Sequence, residues 1–409
     1  MGHSHGEHVP LEIGQRARTL LIGFLAVVGV LAVAGMIWLW PTGAQLDGAL
    51  NRVDEVPGLT YQDATITGLT EGCEATNVGP VEGPPCLTAE VSVDTGPDAG
   101  STTEVELTGP QVHAGLKSGD SIELARIPVE DGFQYSFSGV NRLPVIGVML
   151  ALFVVVVLAV ARLRGFMALV ALGIAAYVLL GFMLPAVIVG KPGMAVALAG
   201  STVIMFIVLY VAHGVSIRTS AALAGTLLGL AVTTALGAVA VAAARLSGFA
   251  EENEYDLAQL APAINFQDLL MVGIIIGGLG VLNDVTITQA SSVWELRAAA
   301  PQWSRLEVFK AGMRIGRDHI ASTIYTIVFA YAGAALAVLL LLYFTTRAPL
   351  DLLGVEMFAG EAVRTLGSAI GLVLSVPITT GIAALTVGPA RLPEPAHAAA
   401  HAAEEPEES

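Results

Sequence analysis

The chain reads as a membrane all-α bundle of about eight transmembrane helices carrying a small extracytoplasmic β-rich domain, an OB-like barrel. Three observations predict this class. The mean hydropathy is +0.72, and 13% of the 409 residues are charged, where a soluble chain carries about 25%. Apolar stretches long enough to cross a bilayer recur along the chain. One acidic segment between the first two stretches switches to short alternating strands and holds both cysteines.

A helix needs about 20 mostly apolar residues to cross the hydrocarbon core. The qualifying stretches are Thr19–Trp40, Leu143–Ala161, Phe166–Val189, Gly193–Ala212, Ser220–Ala244, Asp268–Ser292, Ile320–Phe344 and Val363–Val387. The expected organisation is a His-containing tail at 1–18, an anchor at 19–40, a β domain at 42–140, a seven-helix block at 143–387 and an acidic tail at 388–409. Ala32-Val33-Ala34 resembles a signal-peptidase site. The apolar run nevertheless continues to Trp38 and Trp40, aromatics that suit a membrane interface, so an uncleaved anchor is expected.

Direction follows from Lys and Arg in the short connections. Arg16, Arg18, Arg162, Arg164, Arg218, Arg297, Arg305, Lys310, Arg314, Arg317 and Arg391 all fall on one side if the spans alternate. That side is cytoplasmic and holds both termini, with the protein in the cell membrane. Glu295–Arg317 reads as a partly amphipathic basic loop lying on the anionic inner leaflet.

Between Thr42 and Val140 sixteen acidic residues face three basic ones, a net −13 of the chain's −16. This balance keeps an exposed domain soluble and disfavours nucleic acid. Ala64–Gly68, Leu87–Val93, Thr103–Leu107, Ser121–Ile127 and Phe133–Phe137 alternate as strands, punctuated by Gly, Pro and Asp. Five short strands suggest a small barrel. His113 stands alone and reads as a surface residue. Cys73 and Cys86 both lie here and read as a disulfide, which would contribute about 3 kcal/mol by loop closure. A metal site would need a third thiol or a histidine near the pair, and neither is there.

The sixth stretch carries the most chemistry. Gly273, Gly277, Gly280, Asp284, Thr288 and Ser291 recur at three- and four-residue spacing and share one helix face. The glycines admit close helix packing. Asp284 sits about 6 Å past the centre of the stretch at a rise of 1.5 Å per residue. A carboxylate at that depth must be protonated, paired or hydrated, and such groups serve as ion or proton relays. The competing reading is a carboxylate that locks helix packing, and Asn283 and Gln289 suit either. At the start of the seventh stretch Asp318, His319 and Ser322 outline a candidate cytoplasmic mouth. An ordinary charged helix start, favoured by the helix dipole, is its competitor. Pro185 and Pro377 mark helix interruptions, and Gly225/Gly229 and Gly367/Gly371 have small-xxx-small spacing.

His3, His5, His8, His397 and His401 in the tails invite a metal reading, with chance histidines in flexible tails as the alternative. No cofactor is expected. No nucleophile–base pair, metal-ligand set or nucleotide loop is present, so no enzyme activity is expected. The expected partners are the lipid bilayer, an ion or small-molecule substrate, and an envelope partner at the outer domain.

The run Gly277-Gly278-Leu279-Gly280-Val281-Leu282-Asn283-Asp284, followed by Thr288 and Ala290-Ser291-Ser292, resembles the glycine–aspartate signature of YibE/F-like membrane proteins. So does the layout of anchor, outer β-rich domain and seven-span block. The resemblance implies that topology and the importance of Asp284, and it implies no activity or substrate. Two functions follow from the residues: a transporter or permease-like protein centred on Asp284, and a non-transport envelope component whose outer domain binds a partner or surface polymer.

Overall fold

The computed structural model describes residues 11–13, 15–50, 58–72, 86–129, 132–250, 252–341, 344 and 348–390. The tail histidines and Cys73 lie outside them. In chain order the elements are β1 (Leu11–Ile13), α1 (Gln15–Leu39), α2 (Gly43–Leu50), β2 (Thr60–Glu71), β3 (Cys86–Val93), β4 (Thr102–Thr108), β5 (Ser121–Val129) and β6 (Gly132–Val140). There follow α3 (Leu143–Val178), α4 (Leu184–Ile188), α5 (Gly193–His213), α6 (Ile217–Ala243), α7 (Glu252–Leu260) and α8 (Phe266–Ala299). The chain closes with α9 (Arg305–Ala334), α10 (Leu336–Leu341), α11 (Pro349–Leu352), α12 (Glu356–Thr386) and β7 (Val387–Ala390). The chain divides into two compact units, residues 51–162 and residues 1–50 with 163–409.

In the smaller unit all five expected strands form, each extended by a few residues. They pair antiparallel in the order β4-β3-β2-β5-β6, and β4 and β6 approach each other so that the sheet nearly closes into a small barrel. Alternation explains the core. Ala64, Ile66, Ala89, Val91, Val105, Leu107, Ile122 and Leu124 point inward and are buried, while their neighbours face out. A polar cluster sits beside that core. Arg126 Nε donates to Asp98 Oδ2 at 2.7 Å, Tyr135 Oη donates to the same oxygen at 2.5 Å, and Arg126 lies over the Phe133 ring at 3.1 Å. Gln62 is 2% exposed. It is held under Gly96, where a Cβ would come within 2.7 Å of its amide. His113 is exposed, as expected.

The apolar run after the barrel is 46 residues long, Leu143–Ile188. At 1.5 Å per residue that is about 69 Å, more than twice the thickness of a hydrocarbon core. Arg162, at φ 51° and ψ −130°, breaks it where two spans were expected to meet. Farther on, a π-helical turn at Leu179–Met183 precedes Pro185. Proline lacks the N–H and crowds the preceding turn, so the ladder widens there.

Among the described residues six helical runs are long and apolar enough to cross a membrane: Gln15–Leu39, Leu143–Ile188, Gly193–His213, Ile217–Ala243, Phe266–Ala299 and Glu356–Thr386. The expected seventh stretch, Ile320–Phe344, is not a separate helix. Its first part is the second half of α9, which begins at Arg305 and carries the charges of the preceding segment. The surface loop expected over Glu295–Arg317 is therefore corrected. α8 runs on to Ala299, and α9 starts at a capping box in which Ser304 Oγ accepts from Glu307 N. Val308, Ala311, Gly312 and Gly316 are buried, because the apolar stripe of this amphipathic segment packs on α8 and α12.

In the larger unit α6, α8 and α12 form the centre, with α5 and α9 packed around α8. α1 joins through its glycines: Gly29 lies under the Phe206 ring and Gly35 beside Ala199. Trp40 stacks on Phe182 with centroids 5.3 Å apart. β1 pairs antiparallel with β7, so the chain enters and leaves this unit on the same side.

The Asp98 carboxyl is held below its ordinary value, first by the Tyr135 hydrogen bond and then by Arg126. A depressed carboxylate contributes stability above its unfolded pKa of about 3.9 and loses it as pH falls through the lower folded value. Acidification below about pH 4 should therefore loosen this edge of the barrel, read as faster hydrogen exchange at residues 94–100 and 124–136 of the full chain. Tyr135→Phe should shift that loss to higher pH.

Candidate functional site

Lipid offers helices no hydrophobic drive to associate, so close contact and internal hydrogen bonds must hold them. Glycines supply the contact here. A Cβ on Gly225 would collide with the Thr379 hydroxyl and one on Gly371 with Thr233, while Gly229 receives Ser375 and Leu282 at 3.0 Å. These contacts seat α6 against α12 at the small-xxx-small positions. Between α6 and α8 the hydroxyls of Thr226 and Thr286 meet at 2.6 Å. From α8 Gln289, 2% exposed, donates through Nε2 to the Gly312 carbonyl and to Thr380 Oγ1, both at 2.8 Å. Gln289 thus joins α8, α9 and α12. It belongs to the packing core and does not line the Asp284 face.

With its other sides buried, α8 presents one open side. Gly280, Asp284 and Thr288 are exposed, and Gly273, Gly277 and Ser291 are half-buried. This is the face that the glycine and aspartate spacing marks out. The expected burial of Asp284 does not follow: in the single chain its carboxylate lies on the surface of the helix. Among the described residues no hydrogen bond or ion pair reaches it. Thr288 Oγ1 donates to the Asp284 carbonyl at 2.8 Å, which satisfies that hydroxyl within the helix. Asn283 is half-buried, and its Oδ1 is enclosed without a partner among the described residues.

α9 runs antiparallel beside this face. Gln289 binds Gly312 at one level, and a Cβ on Gly277 would lie 2.9 Å from Tyr331 Oη at another. Asn283 and Asp284 lie between these two contacts on α8, and Asp318, His319, Ser322 and Thr323 lie between them on α9. His319 is half-buried, and its Nε2 is enclosed without a partner among the described residues. Asp318 and Ser322 are exposed. Of the three residues expected to form a mouth, His319 is thus turned partly inward and Asp318 and Ser322 outward on α9.

Two further residues lie on the same glycine face and went unmarked in the sequence. Arg364 of α12 rests against Gly273, its guanidinium carbon 3.6 Å from where a Cβ would be, and Tyr331 of α9 meets Gly277. The signal that singled out Asp284, an ionisable residue inside an apolar stretch, applies equally to Arg364, which stands at the second residue of Val363–Val387. Among the described residues no group of three or more His, Cys, Asp or Glu side chains is placed to hold a metal ion.

A helical bundle with several apolar spans, hydroxyls turned inward onto its own backbone and glycine-mediated contacts is a multi-pass membrane protein. More particularly, the chain belongs to the YibE/F-like protein family, whose model matches residues 149–389. The match covers α8, α9, α12 and every residue of the Asp284 face. No curated protein and no solved structure matches the chain.

Replacing Gln289 by Leu removes both interhelical hydrogen bonds and leaves the Gly312 carbonyl and Thr380 hydroxyl with fewer partners. The loss should be about 0.6–2 kcal/mol, the range for such bonds in membranes, read as a lowered melting temperature of the purified protein with its helix content unchanged.

Proposed function

We propose that the chain is a transporter or permease-like protein in which Asp284 takes up and releases a proton or small ion. The observation that carries this reading is the open face of α8. A carboxylate in the middle of a membrane helix is costly in lipid, and here it faces away from the packed core, while its neighbour Asn283 and His319 of α9 hold enclosed polar atoms without partners among the described residues. Water, an ion or a moving element reaching that face would meet the cost, and each of these belongs to transport.

In this reading the chain crosses the membrane eight times. Three features support this count: the β1–β7 pairing brings the two ends of this unit together, the Arg162 break divides a run of double length, and α9 continued by α10 returns antiparallel to α8. The basic connections then favour both ends in the cytoplasm of a cell-membrane protein, with the barrel outside. On that outer side the hairpin register supports the Cys73–Cys86 disulfide: Glu71 pairs with Leu87, and Gly72 N–H donates to the Cys86 carbonyl at 3.0 Å. Alkylation should label the two thiols only after reduction.

A second reading is favoured by the barrel surface, where Tyr61 and Phe133 are exposed and available to an envelope partner or surface polymer. Deleting residues 63–139 separates the two, because an outer-domain binding protein loses its function whereas a transporter keeps its flux. The direct experiment reconstitutes the full chain in liposomes loaded with a pH-sensitive dye. Asp284→Asn and Asp284→Ala should lower proton or ion flux to that of empty liposomes while the protein stays folded and inserted. Asp284→Asn flux equal to that of the parent would remove the relay role.

A further inference from the structure

The Asp284 face has a second polar station about 10 to 16 Å nearer the Phe266 end of α8, at Gly277 and Gly273. Arg364 projects there from α12, eight residues and therefore about 12 Å inside the helix from Glu356. A guanidinium is always charged and has five N–H donors. Among the described residues Arg364 makes no hydrogen bond. Its Nε is enclosed without a partner, and Nη1 is ion-paired with Glu361 Oε2 at 3.7 Å, longer than a hydrogen bond. The side chain is 36% exposed, so the group is reachable from outside the core. Tyr331 Oη makes no hydrogen bond among the described residues either, and it hangs over Gly277. Two donors without a hydrogen bond among the described residues, one of them cationic, thus lie against two successive glycines of one face.

The spacing suits one kind of ligand. Gly273 and Gly277 are one turn apart, about 6 Å along the axis. A carboxylate or phosphate that accepts one hydrogen bond of about 2.8 Å through each of two oxygens spans a gap of that size. The missing side chains let both donors lie close against α8. A Cβ at Gly277 would come within 2.9 Å of Tyr331 Oη, and one at Gly273 would touch three atoms of the guanidinium between 3.6 and 3.8 Å.

We propose that Arg364 and Tyr331 form an oxyanion site on the glycine step of α8, binding the carboxylate or phosphate of a ligand by charge-assisted hydrogen bonds. This inference rests on the transport reading only in calling that ligand a substrate; the binding chemistry stands apart from it. A soluble anion and a lipid phosphate headgroup present the same group to the site.

The test uses the full chain in phosphatidylcholine nanodiscs, titrated with inorganic phosphate or acetate and read by thermal shift, with labelled phosphate as the direct binding measure. A parallel set of nanodiscs contains phosphatidylglycerol. Saturable stabilisation by phosphate or acetate, weakened about tenfold or more in Arg364→Gln and about fivefold in Tyr331→Phe, supports the site with a soluble ligand. Stabilisation by phosphatidylglycerol alone, with the same dependence on both residues, supports it with a lipid headgroup. If neither source distinguishes the parent from the variants, the site does not exist. Should Arg364→Gln fail to fold, Tyr331→Phe, which loses a single oxygen, carries the comparison. Binding needs no turnover, so inactive Asp284 variants leave this result untouched. Loss of the anion effect likewise leaves the flux experiment standing.

Discussion

The contact on which the larger unit depends is the insertion of threonine and serine side chains into glycine gaps between α6 and α12. Thr379 fills the gap at Gly225, Thr233 that at Gly371 and Ser375 that at Gly229. Thr379 Oγ1 is enclosed without a partner among the described residues, while Thr233 donates to the Gly229 carbonyl and Ser375 to the Leu372 carbonyl in their own helices. Such a bond removes the cost of a buried hydroxyl and leaves the methyl or methylene to pack. Where lipid supplies no association drive, this interlock fixes how near the helices lie, and the position of α8 follows from it.

Because α8 is clasped by α6 and α12, its faces are unequal. The inward face is apolar or satisfied, through Thr286 and Gln289. The outward face holds glycine, aspartate and hydroxyl residues, with α9 along one margin. α9 is itself split in character. Its Arg305–Gly316 half is pinned by Gln289 and the tight approach of Gly316 to Val376, whereas Ser322, Tyr325 and Phe329 are exposed. The firmly held and lightly held portions of the site therefore meet near His319.

The barrel strands were legible because alternation has a period of two and every turn between them carries Gly, Pro or Asp. The Asp284 face was equally legible, since three- and four-residue spacing is a property of the helix alone. What covers that face was not, because a stripe of small and polar residues looks the same whether it meets protein or nothing. The same ambiguity misplaced Glu295–Arg317. An amphipathic segment announces an apolar side and is silent on whether lipid or another helix receives it. Gln289 illustrates the limit from the opposite direction. It lies one position from Thr288, yet that one step of about 100° carries it from the open face into the three-helix junction.

The junction of α1 with α5 has a consequence for biosynthesis. Gly35 rests on Ala199, and everything between them, including the barrel, is synthesised in the interval. At 5–20 residues per second α1 waits roughly ten to thirty seconds for its seat. During that time it stands in the bilayer as a solitary rod. From Leu20 to Leu39 it has no charged, amide or hydroxyl side chain, so lipid can surround it on all sides without penalty. Uniform greasiness in α1 is thus the property of a part that must keep before it is fitted, and the β1–β7 clasp can close only after α12 has been made.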